Sequence, residues 1–295
     1  MAYDQASGQV LLVGDPNGGP ATQTWAWTPQ AGWKQLSPAH EPPGRTWGNI
    51  AYDATTTSVI LFGGQSATPV NGGLNPLADT WSWNGADWSQ LSPASSPPAT
   101  VNMSMDYEPS SRVVIGVRDN DASTAVETWQ FDGTTWSQLQ PSQSPQFSKQ
   151  GAGLAFAPAV SASVLFGTQY GIGYPAADGS AWTHGANTWT QYPPGATDPK
   201  PRSFPGLATD QQGGVLLFGG AASDGTALGD TWEWAGAWSV KTVAISPPAR
   251  SMPLMAFDSA CKLVVLYGGE LQTQQTLTNF SDSWIWDGQA WTKVG

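Results

Sequence analysis

The chain has 295 residues, and its 22 Asp+Glu against 11 Lys+Arg give a net charge of −11. Phosphate recognition needs a positive field, so nucleic acid and anionic membrane surfaces are not its expected partners. Only 11% of residues are charged, whereas Gly (34), Pro (24) and Trp (17) are abundant, a composition that suits many short strands joined by turns.

Short strands recur from the first residues onward. An "AYD"-like segment comes first: Ala2-Tyr3-Asp4, Ala51-Tyr52-Asp53, Asp106-Tyr107-Glu108, Ala155-Phe156-Ala157, Ala208-Thr209-Asp210 and Ala256-Phe257-Asp258. An apolar run follows each: "VLLVGD" (10–15), "VILFGG" (59–64), "VVIGVR" (113–118), "VLFGT" (164–168), "VLLFGG" (215–220) and "VVLYGG" (264–269). Such runs, β-branched and bounded by glycine, predict buried strands. Next comes a Trp-x-Trp segment whose first Trp falls at 25, 81, 129, 182, 232 and 284, with spacings of 56, 48, 53, 50 and 52. Its second aromatic is Trp27, Trp83, Phe131, Trp234 or Trp286, with His184 in the fourth unit. A third Trp (33, 88, 136, 189, 238, 291) opens a fourth segment. Turn dipeptides Asn84-Gly85, Asp132-Gly133 and Asp287-Gly288 suit a tight hairpin between the third and fourth segments.

Four short strands per unit, repeated six times, predict an all-β, six-bladed β-propeller. The Gly-Gly closing strand two and the aromatic pair of strand three resemble the kelch family over essentially the whole chain. The resemblance implies one kelch-type propeller domain over 1–295 with four antiparallel strands per blade. Approximate blades are 1–43, 44–98, 99–145, 146–199, 200–247 and 248–295. The chain starts at a first strand and stops level with a fourth, so each blade is expected from contiguous sequence, with blade 6 closing on blade 1. The short start also suits a segment of a longer protein.

Sixteen of the 17 tryptophans follow the repeat, and Trp47 alone does not. Residues repeating at strand period are expected to pack between blades rather than stack on sugar. The acid before the pair (Asp79, Glu127, Asp230, Asp282) is expected to accept backbone hydrogen bonds in a turn. Function is expected on the face carrying the long loops 65–78, 169–179 and 270–281.

Eight residues before the "AYD" acid stand Arg45, Thr100, Lys149, Arg202 and Arg250. The kelch pattern commonly has Arg here. Two readings compete: a guanidinium bonded to loop carbonyls or a neighbouring carboxylate, and a partial ring of cations for an acidic ligand. Two residues on stand Trp47, Asn102, Gly151, Phe204 and Met252, which vary as pocket-lining positions would. Candidate ligand-binding residues are therefore Arg45, Trp47, Arg118, Lys149, Tyr170, Tyr174, Arg202, Phe204, Arg250 and Glu270. His40 is expected on the same face, and His184 in a short turn on the other.

No metal and no cofactor are expected, because two histidines and the single Cys261 offer no ligand cluster. The Tyr, His and modified Cys of kelch-type copper oxidases have no counterpart. The expectation is a binding scaffold for a protein, a glycan or an acidic small molecule, leaning away from an enzyme. The alternative is a cofactor-free mutarotase-, epimerase- or lyase-like enzyme for an acidic sugar, resembling the kelch-type sialic acid mutarotases. No apolar run spans a membrane, and no basic stretch leads into an apolar signal core. A monomer is expected, extracellular or secreted as in bacteria, with the cytoplasm as the alternative.

Overall fold

The computed structural model describes residues 1–14, 21–68, 75–119, 126–145, 151–167, 179–273 and 275–295. Among these, the strands form six four-stranded antiparallel sheets, each a meander in chain order. Blade 1 contains Ala2–Asp4, Gln9–Gly14, Gln23–Thr28 and Gly32–Gln35, and blade 2 contains Asn49–Asp53, Ser58–Phe62, Thr80–Trp83 and Trp88–Leu91. Blade 3 contains Met103–Glu108, Val113–Arg118, Glu127–Phe131 and Trp136–Leu139, and blade 4 contains Gly153–Ala157, Ala162–Phe166, Ala181–Gly185 and Thr188–Tyr192. Blade 5 contains Gly206–Thr209, Val215–Phe218, Thr231–Trp234 and Trp238–Lys241, and blade 6 contains Leu254–Asp258, Leu263–Tyr267, Ser283–Trp286 and Trp291–Lys293. The chain is thus the all-β, six-bladed propeller that its repeat predicts. The one helical element among the described residues is a 3-10 turn, Pro158–Val160. Two compact units carry three blades each: Met1–Arg118 with Glu127–Gln140, and Asp119–Val126 with Pro141–Gly295.

Cross-strand register explains the tryptophans. The second aromatic of each pair lies opposite the third Trp: Trp27 with Trp33, Trp83 with Trp88, Phe131 with Trp136, Trp234 with Trp238, and Trp286 with Trp291. Residues opposite one another share a face. Within each compact unit that face meets the preceding blade. Trp81, Trp83 and Trp88 pack with Leu11 and Ala26 of blade 1, and Trp284, Trp286 and Trp291 pack with Leu216 and Phe218 of blade 5. Each buried indole removes on the order of 200 Å² from water, so these seams are mainly hydrophobic. His184 occupies the aromatic place in blade 4, where it is a buried strand residue 5.0 Å from the Trp189 ring. This corrects its expected position in a short turn. An imidazole has roughly the shape needed to fill an aromatic slot opposite an indole.

One hydrogen bond fixes how Trp88, Trp136 and Trp291 enter the blade before them. The indole N–H of Trp88 donates to the Thr24 hydroxyl at 2.9 Å, that of Trp136 to Thr80 at 3.0 Å, and that of Trp291 to Thr231 at 2.9 Å. The same rings lie against a phenylalanine ending the previous blade's second strand, Phe62 with Trp136 at 5.1 Å and Phe218 with Trp291 at 5.4 Å. Trp238 keeps the ring contact, with Phe166 at 4.9 Å, but its N–H is buried without an acceptor. The sequence supplies the reason: Ala181 stands where Thr24, Thr80 and Thr231 stand in the other blades, and it packs in the same cluster as Trp238.

An Ala181→Thr substitution should therefore give Trp238 its missing acceptor. The expected gain is about 1 kcal/mol in denaturant-induced unfolding. An unchanged or reduced stability would refute the assignment.

Candidate ligand-binding site

The site is built from the arginine slot outward. Arg45 is 1% exposed, and Arg202 and Arg250 are 0% exposed. Arg45 donates through Nη1 and Nη2 to both Asp79 oxygens, each at 2.7 Å, through Nη1 to Gly63 O at 3.0 Å, and through Nε to Pro43 O at 3.1 Å. Arg202 repeats this on Asp230 (2.6 and 2.9 Å), Gly219 O and Lys200 O. Arg250 does so on Asp282 (2.6 and 3.1 Å), Gly268 O and Pro248 O, with Phe280 3.9 Å from its guanidinium carbon. Each acid also accepts from the first Trp of its pair: Trp81 on Asp79 at 2.7 Å, Trp232 on Asp230 at 2.6 Å, and Trp284 on Asp282 at 2.8 Å. The acid is thus a bidentate guanidinium clamp that also orients an indole. This corrects the expectation that it serves a backbone turn.

The acid occurs where a guanidinium can reach it. Blade 3 has Thr100 in the arginine slot, and there Arg118, from the second strand, bonds Glu127 at 2.7 Å while Trp129 donates to the same oxygen at 3.1 Å. In blade 1 the acid is replaced by Gln23, which accepts from Trp25 at 3.1 Å. In blade 4 it is replaced by Ser180, whose hydroxyl accepts from Gln191 at 3.0 Å. Of the two sequence readings of the arginine slot, the geometry bears out the guanidinium bonded to loop carbonyls and a neighbouring carboxylate, and the matched presence of Arg and acid within single blades could have identified that carboxylate.

Above the clamp the backbone turns a strained corner. Trp47, Phe204 and Met252 have φ of 57°, 53° and 56°, and Gly151 at the same repeat position has 96°. A bulky residue held there costs of order 1–3 kcal/mol and persists only when its surroundings over-determine it. The surroundings do so. The second glycine of the Gly-Gly pair lies directly beneath: a Cβ on Gly64 would stand 2.7 Å from Gly48 N and 2.8 Å from Thr46 O. Arg45 and Thr46 pair with Ser66 and Gln65 on the far side of that glycine. In the second unit, Phe204 N–H donates to Gly151 O at 2.7 Å and Met252 N–H to Phe204 O at 3.0 Å, tying three corners together. The Phe204 ring covers Gly151 so closely that a Cβ there would stand 2.8 Å from it.

These corners differ in exposure. Trp47 is 48% exposed, the one tryptophan among the large exposed apolar side chains, while Phe204 and Met252 are half-buried. Asn49 donates to Trp47 O at 3.3 Å. Glu270 is half-buried and exchanges backbone hydrogen bonds of 2.8 Å with Ser251, where a small hairpin begins (Glu270–Gln272 with Leu277–Asn279). Lys149, Tyr170 and Tyr174 lie outside the described residues. His40 reaches Asp87, in the turn between the third and fourth strands of blade 2, at 2.7 Å through Nδ1. Among the described residues, no group of three or more His, Cys, Asp and Glu could hold a metal ion.

Burial alone would push the carboxyls of Asp79, Asp230 and Asp282 up. Hydrogen bonds from their arginines, the arginine charge and the Trp indoles outweigh it, and all three sit below the ordinary 3.8.

No protein-family model matches this chain, and no curated protein matches it. A solved structure titled "Structure of YjhT" is similar to it over 97% of this chain and 97% of that one, with a TM-score of 0.67 and 14% sequence identity. At that identity the likeness is one of fold.

A carboxyl lowered in the folded state adds stability above its unfolded value and loses it as pH falls through the folded value. Stability should accordingly decline below about pH 4. An Asp282→Ala variant, leaving Arg250 charged and buried, should lose about 3–5 kcal/mol at neutral pH. A loss within 0.5 kcal/mol, the ordinary range for surface changes, would show that the clamp is not stabilising.

Proposed function

We propose that this chain is a kelch-type propeller acting as a binding scaffold, with Trp47 as the main contact for an uncharged, glycan-like ligand. The observation that carries this reading is an exposed indole on a strained but rigidly supported corner. A solvated Trp at positive φ is unfavourable twice over, and strain of that kind gathers at ligand contacts. An indole offers a large flat apolar face with a single polar edge, suited to a ligand with both CH and OH surface. The residues flanking or paired beside it, Thr46, Asn49, Gln65 and Ser66, bring hydroxyls and amides but no charge. Arg45, two residues before Trp47, is closed off by Asp79.

That closure weighs against the rival, an enzyme drawing an acidic sugar to a ring of arginines. Arg45, Arg202 and Arg250 each give a carboxylate two hydrogen bonds and are shut away from solvent.

Glycan-array screening followed by calorimetry tests the proposal. Trp47→Gly should weaken binding of neutral oligosaccharides at least ~10-fold, about 1.4 kcal/mol. Melting temperature should hold or rise, because glycine accepts positive φ without strain. Undiminished binding would move the site elsewhere. Selective retention of acidic glycans by the wild type would overturn the uncharged-ligand assignment.

A further inference from the structure

In blades 1, 2, 5 and 6 an acid at the end of the first strand caps its own turn, and in blade 5 one oxygen of that acid is left without a partner. Asp4 accepts from the Ala6 N–H at 3.0 Å through one oxygen and from the Ser7 hydroxyl at 2.7 Å through the other. Asp53 does the same with Thr55 N–H and the Thr56 hydroxyl, both at 2.8 Å. Asp210 accepts through Oδ1 from the Gln212 and Gly214 N–H groups, both at 2.9 Å. Its turn, Gln211 to Gly214, contains no hydroxyl. Asp210 is 2% exposed, and its Oδ2 has no hydrogen-bond partner.

Beside that oxygen stands Glu233, 9% exposed, at a repeat position filled elsewhere by Ala26, Ser82, Gln130, Thr183 and Ile285. The two acids meet over Gly214: a Cβ there would lie 3.5 Å from Asp210 Oδ2 and 3.5 Å from Glu233 Cγ. Lys241 pairs with Glu233 Oε2 from the fourth strand, its side chain 30% exposed. Lys241 is again peculiar to blade 5, standing where blades 2 and 3 have Leu91 and Leu139.

Charge decides what this cluster must hold. Two carboxylates against one ammonium leave an unbalanced negative charge at a buried site, which is strongly unfavourable. One added proton makes the cluster neutral and gives Asp210 Oδ2 the hydrogen bond it lacks. We propose that Asp210 and Glu233 share one proton as a carboxyl–carboxylate pair, and that its loss as pH rises loosens the blade 5 turn. Burial, and after it the neighbouring Glu233 charge, push the Asp210 carboxyl up from 3.8, against the pull of the Gly214 and Gln212 N–H groups.

The other elements packed on this turn add little charge. Ala159 N–H of blade 4 donates to Gly213 O at 2.8 Å, and 157–162 contains no titratable side chain. From blade 6, the Asp287-Gly288 turn lies against the Gln211 amide, and Asp287 Oδ1 accepts from the Gln289 and Ala290 N–H groups at 2.9 and 2.8 Å. Glu233 and Lys241 are thus the charges that face Asp210. Through Gln211, movement of the turn would reach the seam between blades 5 and 6.

The sign follows from proton binding. Between the unfolded value of 3.8 and the raised folded value, the folded protein holds more protons, so stability falls as pH rises through that window and is flat above it. Thermal unfolding of wild type and Asp210→Asn across pH 4–8 reads this directly. Asparagine keeps the two N–H acceptances and donates permanently to Glu233. The variant should melt a few degrees above wild type at pH 8, with the gap closing toward pH 4. A gap that does not depend on pH, or a variant that melts lower at pH 8, would overturn the proposal. Carboxyl-carbon NMR of the wild type gives a second reading that needs no folded variant. Asp210 should titrate above an ordinary aspartate and return toward it in Glu233→Gln. Titration at or below the ordinary value would also overturn the pair.

Discussion

Within each three-blade unit, the tryptophans of one blade are covered by the blade before it. A sheet with an apolar face must bury that face against another element. The chain answers with three aromatic residues on the third and fourth strands, facing the blade before. Area supplies the energy, but area does not specify register. Register comes from the indole N–H, which finds a threonine hydroxyl only when the blades are correctly staggered, as Trp88 on Thr24 and Trp136 on Thr80 show. Trp238, with its buried N–H unmet beside Ala181, marks the seam where area is kept and this selection is lost.

The arginine clamp answers a different demand. Between the second and third strands the chain leaves the sheet and must return on a fixed path. The guanidinium spans that excursion, holding the carbonyl that ends the second strand (Gly63, Gly219, Gly268) and the carboxylate that begins the third (Asp79, Asp230, Asp282). Full burial of Arg45, Arg202 and Arg250 is tolerable because the geometry is bidentate and the remaining N–H groups meet carbonyls. The clamp also braces the corner two residues after the arginine, where Trp47, Phe204 and Met252 take positive φ. A residue there is positioned by its backbone rather than by side-chain packing. In blade 2 that leaves the Trp47 side chain 48% exposed.

The repeat made the fold legible. Strand period, the Gly-Gly stops and the fixed Trp spacing identify six blades of four strands because each is a local signal repeated six times. The role of Asp79 and its equivalents was less legible, since an acid next to a turn ordinarily caps it, and its partner lies 34 positions away in sequence (45 to 79). The strained corner was illegible from composition, because positive φ at Trp47, Phe204 and Met252 breaks the rule that such positions go to glycine or asparagine. Sequence singled out Trp47 as the tryptophan outside the pattern and as a pocket-lining candidate, without showing its backbone strain. The cluster of Asp210, Glu233 and Lys241 was invisible too, since three charges scattered over 31 positions (210 to 241) meet only once the strands pair.

A repeated fold is its own control, because each blade poses the same physical problem with a different answer. Where an acid and a guanidinium appear together in one blade, as Arg45 with Asp79 and Arg118 with Glu127, the pair is structural. A departure that leaves a buried group unmet, as at Ala181, is a local loss of stability. Trp47 fits neither class: its φ and exposure are both unfavourable, and nothing in blade 2 needs an indole there. Blade 5 presents the converse case, in which one missing hydroxyl in the Asp210 turn coincides with an acid and a lysine that no other described blade carries. Compensation of that kind keeps a turn closed only in one protonation state, so the same substitution that spoils a simple cap makes the blade responsive to pH.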